Sequence, residues 1–195
     1  MANTSRVTGE TQAVSIPADG MMLQADLTLP PGLRGCVVFA HGSGSSRHSP
    51  RNRMVARRLQ DQGFGTLLFD LLTAREEAAD AITRDLRFDI ALLARRLTAA
   101  TLWLTSHPAT RSRPVGYFGA STGAAAALVA AARLPDLVGA IVSRGGRPDL
   151  AGSHLRSVAA PTLLIVGGND PTVIHLNRIA LTQLSSDVKE LTIVP

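Results

Sequence analysis

Polar and apolar residues alternate along two adjoining segments, 13–18 (AVSIPA) and 21–30 (MMLQADLTLP), on either side of Asp19-Gly20. Alternation at period two marks half-buried strands, and Asp-Gly between them is a hairpin turn signal. The chain therefore opens with an antiparallel pair. After the Pro-Pro-Gly punctuation at 30–32, residues 36–40 (CVVFA) are apolar without alternation, as in a strand covered on both faces.

From there strand and helix patterns take turns. The sequence predicts a helix over 53–63 ending on Gly63, a strand over 64–70, a helix over 89–106, a strand over 114–120 and a helix over 122–135. A strand over 137–143, a loop with a short helix through 153–161, a strand over 162–168, a helix over 173–186 and a strand over 190–195 complete the pattern. Strands separated by helices of ten or more residues imply right-handed crossovers and a mostly parallel, doubly wound sheet. Residues 71–89 (LLTAREEAADAITRDLRFD) are charged and long for a connection, and are expected to edge a pocket.

Composition narrows the class. With 195 residues, 45% hydrophobic and 18% charged, the chain is long enough for one core and short for two, so a single domain over 1–195 is expected. Aromatics make up only 4%, so the core should be aliphatic, with helices built on alanine. No segment reads as a signal peptide or reaches the roughly 18 apolar residues of a membrane span, which favours the cytoplasm and no membrane partner. One cysteine, Cys36, leaves no internal disulfide and no cysteine-built metal site; neither a metal nor a cofactor is expected.

A net charge of +5 raises nucleic acid as a partner, but the distribution argues against it. Lys189 is the sole lysine, and the arginines are spread out except for Arg47, Arg51, Arg53, Arg57 and Arg58. That cluster is expected on a solvated helix face, with Arg57 and Asp61 at pairing distance. The other reading makes it a collar for an anionic substrate.

In open parallel sheets ligands bind beyond the carboxyl ends of the strands. Three of those ends carry chemistry: HGSGSSRH at 41–48, GASTG at 119–123 and GGNDPT at 167–172. Gly-x-Ser-x-Gly alone is a weak pattern. Between a strand and a helix it gains meaning, because a sharp turn there brings the two backbones too close for side chains at Gly119 and Gly123. Ser121 would then be a nucleophile above the positive end of a helix. The competing reading has the glycines serving helix packing only, with Ser121 or Thr122 as a cap. An acyl-transfer site needs two oxyanion donors, and the backbone N–H groups of Ser43 and Thr122 are the candidates. Asp170 could orient an imidazole, or simply form a turn before Pro171. Arg144 and Arg147 lie past a strand end and could grip a carboxylate, or pair with Asp149 or Asp170. His41 and Arg144 are the candidate substrate contacts.

These residues resemble the α/β-hydrolase fold, and within it the dienelactone-hydrolase-like serine hydrolases, in the order VVFAHGSGSSRHSPRNR, GYFGASTGAAAAL, IVSRGGRPDLAG and PTLLIVGGNDPTVI. The resemblance implies Ser121 as nucleophile and Asp170 as triad acid. Dienelactone hydrolases proper carry cysteine at the elbow, so their substrate does not transfer. In the fold the triad histidine follows the last strand, and residues 189–195 (KELTIVP) look like that strand. The expectation is a form truncated before the histidine loop and the final helix, with an exposed sheet edge that favours homo-oligomers, element swapping or poor solubility. Among the five histidines, His41 is expected to brace the oxyanion loop, His48 to line the pocket, His107 to sit at the far end of a helix, His154 on the active-site side but displaced from the acid, and His175 at the start of a helix leading away from the site. The leading reading is a carboxylesterase for small or medium acyl esters. Its rival is a non-catalytic binding protein that keeps the elbow as an anion or acyl pocket.

Overall fold

The computed structural model describes residues 9–195. The hairpin pairs β1 (Thr11–Ala18) with β2 (Met21–Thr28) in antiparallel register. Its turn puts Asp19 and Gly20 at φ 49° and 75°, the two positive angles that a tight hairpin matching the strand twist demands. β2 runs antiparallel to β4 (Phe64–Phe69), and β4 lies parallel to β3 (Gly35–Ala40). β5 (Val115–Ala120), β6 (Val138–Arg144), β7 (Thr162–Gly167) and β8 (Lys189–Val194) follow in parallel, giving the order β1-β2-β4-β3-β5-β6-β7-β8. This is the α/β-hydrolase arrangement, with the chain reversal after β3 placing β4 outside β3 and β5 on its other side.

One face is covered by α3 (Ile90–Ser106), α4 (Thr122–Arg133), a 3-10 segment (Pro148–Ser157) and α5 (Pro171–Gln183). The alanines matter here. Every residue of α4 from Thr122 to Ala131 is buried, and methyl side chains let this helix pass between α3, the sheet and the 3-10 segment without forcing them apart. The opposite face holds a smaller cluster of Phe39, Ala56, Leu68 and Phe118 under α1 (Pro50–Asp61). Beside α1, half-buried Leu163 and exposed Val188 line an open groove over β6, β7 and the start of β8. Among the described residues β8 pairs with β7 alone, and its Ile193 and Val194 are exposed. Among the described residues no helix is long and apolar enough to cross a membrane.

The structure differs from the sequence reading at 71–89, which is no plain connection. Ala74–Thr83 forms a helix, α2, begun by a reciprocal box in which the Thr73 side chain accepts the Glu76 N–H while Glu76 accepts the Thr73 N–H. Arg57 and Asp61 also form no ion pair; the charges of this stretch pair across the fold instead.

Candidate active site

β5 ends at Ala120, α4 starts at Thr122, and Ser121 alone makes the turn between them with φ 51° and ψ −125°. A non-glycine residue in that region is strained and is held only by its surroundings. The surroundings are tight. A methyl group on Gly119 would lie 2.5 Å from the Ala124 Cα, and one on Gly123 would lie 2.2 Å from the carbonyl oxygen of Ala40 and 2.4 Å from that of His41. The glycines thus allow α4 to press against the end of β3, and that pressure lifts Ser121 out of the strand. The Ser121 carbonyl accepts the N–H groups of Ala124 and Arg147, and its hydroxyl hydrogen-bonds to no described residue.

Facing it is the loop after β3. The Gly42 Cα approaches so closely that a methyl there would lie 2.9 Å from the Ser121 Cβ. Ser43 and Thr122 meet through their hydroxyls at 3.1 Å, tying the loop to the head of α4. As the first residue of α4, Thr122 has no intrahelical acceptor for its N–H, and neither it nor the Ser43 N–H has a partner among the described residues. Two unsatisfied donors therefore border the serine.

His41 holds this loop in place. Its Nε2 accepts the Leu71 N–H at 3.0 Å, so Nδ1 carries the proton and donates to the Gly42 carbonyl at 2.9 Å. Burial pushes its pKa below the ordinary 6.5, outweighing the opposing pull of the Gly42 carbonyl, Asp70 and Glu77. It is a brace with both nitrogens engaged, leaving only ring carbon for the adjoining cavity. Below pH 6.5 the unfolded chain protonates at this imidazole before the folded one does, so stability should fall as pH drops through that range. His41→Phe should remove this component of the pH dependence and lower stability by about 1–3 kcal/mol, the cost of orphaned buried partners. Urea titrations at pH 7.5 and 5.5 measure both, and an unaltered pH slope would show that His41 does not carry it.

The other histidines stand apart from Ser121. His48 meets the Arg53 guanidinium at 2.8 Å, and His107 ends α3 against Trp103. His154 and His175 are exposed on the 3-10 segment and α5. Among the described residues no imidazole hydrogen-bonds to Ser121 or Asp170. Asp170 lies past the end of β7 and caps α5, its Oδ1 accepting the Val173 N–H at 3.0 Å while Oδ2 has no partner among the described residues. Arg147 takes Asp149 with both arms of its fork, at 2.9 and 2.7 Å, and Arg144 forms no ion pair among the described residues.

Two cavities flank the Gly42–Ser45 loop. One of about 160 Å³ is lined by Leu71, Leu72, Ala81 and Leu93, with Glu77, Asp80 and Arg87 from the segment that begins with α2. The other, of about 370 Å³, contains Ser121 with Arg51, Asn52 and Arg144. Asn52 and the Glu76–Arg96 pair were not singled out from sequence. The Thr-x-x-Glu spacing at 73–76 was the available cue for the second.

A strand–Gly-x-Ser-x-Gly–helix turn in this sheet order fixes the superfamily, and a sequence model of the "Dienelactone hydrolase family" matches residues 23–191. The chain belongs to the dienelactone hydrolase family. The crystal structure of a dienelactone hydrolase from Anabaena variabilis shares 59% identity, covers 96% of this chain and 86% of its own, and superposes with a TM-score of 0.93. An esterase of Pyrococcus furiosus, 18% identical with a TM-score of 0.76, covers 95% of this chain and 82% of its own and shares the fold. Two Mycobacterium tuberculosis proteins provisionally named phosphoribosyl transferases are 57% identical over 184 residues. That match takes in 94% of this chain, which spans only 40% of the length of those relatives. Within the dienelactone hydrolase family this member keeps serine at the elbow, and among its described residues no group of three or more His, Cys, Asp or Glu is placed to hold a metal ion.

Proposed function

We propose that this chain is a serine hydrolase of carboxylic esters, with Ser121 as its nucleophile. The observation that carries the reading is the strained Ser121 backbone, held between Gly119 and Gly123 with two unpaired N–H groups beside it. In this mechanism Ser121 Oγ attacks the ester carbonyl and its proton passes to a base. The carbonyl oxygen takes up negative charge against the N–H groups of Ser43 and Thr122 and the positive end of α4. Collapse expels the alcohol, which receives the proton, and leaves an acyl-serine that water cleaves to the free acid. The base would be an imidazole oriented by Asp170; among the described residues none of the imidazoles at positions 41, 48, 107, 154 and 175 hydrogen-bonds to Ser121 or Asp170. No metal or cofactor enters these steps.

The transferase name of the mycobacterial relatives does not conflict with this reading, since 60% of their length lies outside the match. A second reading is a binding protein that retains the elbow, favoured by the lack of a hydrogen bond from any described imidazole to Ser121. A fluorophosphonate probe separates the two. The hydrolase reading expects one adduct, on Ser121, lost in Ser121→Ala while the fold persists by circular dichroism. Absence of any adduct would leave the binding reading.

A further inference from the structure

Most arginines near the site are already neutralised. Arg47 reaches Asp26 and Asp70, Arg53 reaches Asp26 and His48, Arg87 reaches Asp80, and Arg147 reaches Asp149. Arg51 and Arg144 are different: neither forms an ion pair among the described residues, and both line the 370 Å³ cavity that holds Ser121. They come from separate elements, Arg51 from the first turn of α1 and Arg144 from the end of β6. Among the described residues no carboxylate lines this cavity.

Between them lies Asn52, only 3% exposed. Its Oδ1 faces Arg144 Nη2 at 3.5 Å, and since arginine only donates, the amide NH₂ is the end left over. That Nδ2 has no partner among the described residues and stays accessible, on a residue that lines the cavity. At the head of α1, Pro50 lacks an N–H and the Asn52 N–H is taken by Ser49 Oγ, so the Arg51 N–H is the free one at the positive helix end. Burial, and secondly the charge of Arg51, weaken the hold of Arg144 on its proton. The charged side chains that line this space, Arg51 and Arg144, are both positive.

We propose that this cavity is a subsite for a phosphate group, and that the ester opened at Ser121 is a phosphorylated one; the second half rests on the hydrolase reading. Donors from two elements and two positive charges suit a dianion with three terminal oxygens better than a planar monoanionic carboxylate. Arg144 grips from the strand end, Arg51 closes from the helix, and Asn52 supplies its amide while fixing Arg144.

Calorimetric titration of this chain with inorganic phosphate tests the subsite without relying on turnover. Saturable binding is expected, at least tenfold weaker in Arg144→Gln and in Arg51→Gln, and unchanged in Arg58→Gln on the same helix. Arg144→Lys, which keeps the charge and loses the fork, should fall between, and melting curves confirm that each variant is folded. No saturable binding, or equal binding in all variants, overturns the subsite. Tighter binding of succinate than of phosphate overturns the phosphate assignment. Phosphate should also slow fluorophosphonate labelling of Ser121. Phosphate binding without any Ser121 adduct would remove the hydrolase reading and leave the subsite, whereas an adduct without phosphate binding would do the reverse.

Discussion

Gly123→Ala is expected to destabilise the protein by about 3 kcal/mol, the upper part of the range for forcing an extra methyl into a packed interior. For a chain of this size that lowers the melting temperature by roughly 6–12 °C. The methyl would lie 2.2 and 2.4 Å from two backbone oxygens, Ala40 and His41, so no side-chain rotation relieves it. Relief requires α4 to move off the end of β3. That movement carries Thr122 away from Ser43, breaking the 3.1 Å hydroxyl contact, and relaxes the turn that presents Ser121. Fluorophosphonate labelling should therefore slow by more than the folded fraction accounts for. Gly44→Ala is the control: Gly44 has φ 65° but open space around it, so only backbone strain of about 1–2 kcal/mol is expected. If both variants melt alike, the tight contact at Gly123 is not what holds the elbow.

The elbow was legible in the sequence because its geometry is local. A serine that must turn within one residue needs glycines two places to either side, and a strand pattern and an alanine run flanked them. The hairpin was legible for the same reason, Asp19 and Gly20 being residues that tolerate positive φ. The helix at Ala74–Thr83 escaped notice because its apolar positions are four alanines and an exposed Ile82, too weak a stripe to stand out beside Arg75, Glu76, Glu77 and Asp80; Asp80 is its one buried residue. The pairing of arginines was less legible still. Arg47 and Arg53 both converge on Asp26 in β2, more than twenty residues upstream, and only the antiparallel placement of β2 beside β4 brings that carboxylate under the loop. That Arg47 and Arg53 are paired while Arg51 is not, and that Arg51 meets Arg144 of β6 at one cavity, is therefore a property of the whole fold and not of the sequence cluster.

Arg96→Met is the second variant with a large expected effect, and it acts on the site through three intermediaries. Arg96, 2% exposed, donates to the Leu71 carbonyl at 2.7 Å and spans both oxygens of Glu76. The N–H of that same Leu71 is held by His41, which in turn holds the Gly42 carbonyl ahead of Ser43. Methionine fills much of the volume but leaves the Leu71 oxygen and one carboxylate without their cation. Breaking a buried pair in this way costs about 3–5 kcal/mol, and the lower figure is expected because the Glu76 side chain is 20% exposed. The pH dependence identifies the cause. Burial alone would raise the Glu76 pKa, but the Arg96 hydrogen bonds, with those from Thr73, hold it at about 2 against an ordinary 4.5. A carboxyl depressed on folding stabilises fully above its unfolded value and loses that contribution as pH falls from about 4.5 toward 2. The stability gap between wild type and Arg96→Met, measured by urea unfolding, should thus be wide at pH 7 and narrower at pH 3. A gap that is the same at both pH values would mean the loss comes from packing around Arg96 and not from its charge. The double variant Arg96→Met/Glu76→Leu should regain part of the stability, because no carboxylate is then left uncompensated. It should not regain Ser121 labelling to the same extent: the Leu71 carbonyl still lacks its anchor, and through His41 the donor loop remains free to shift.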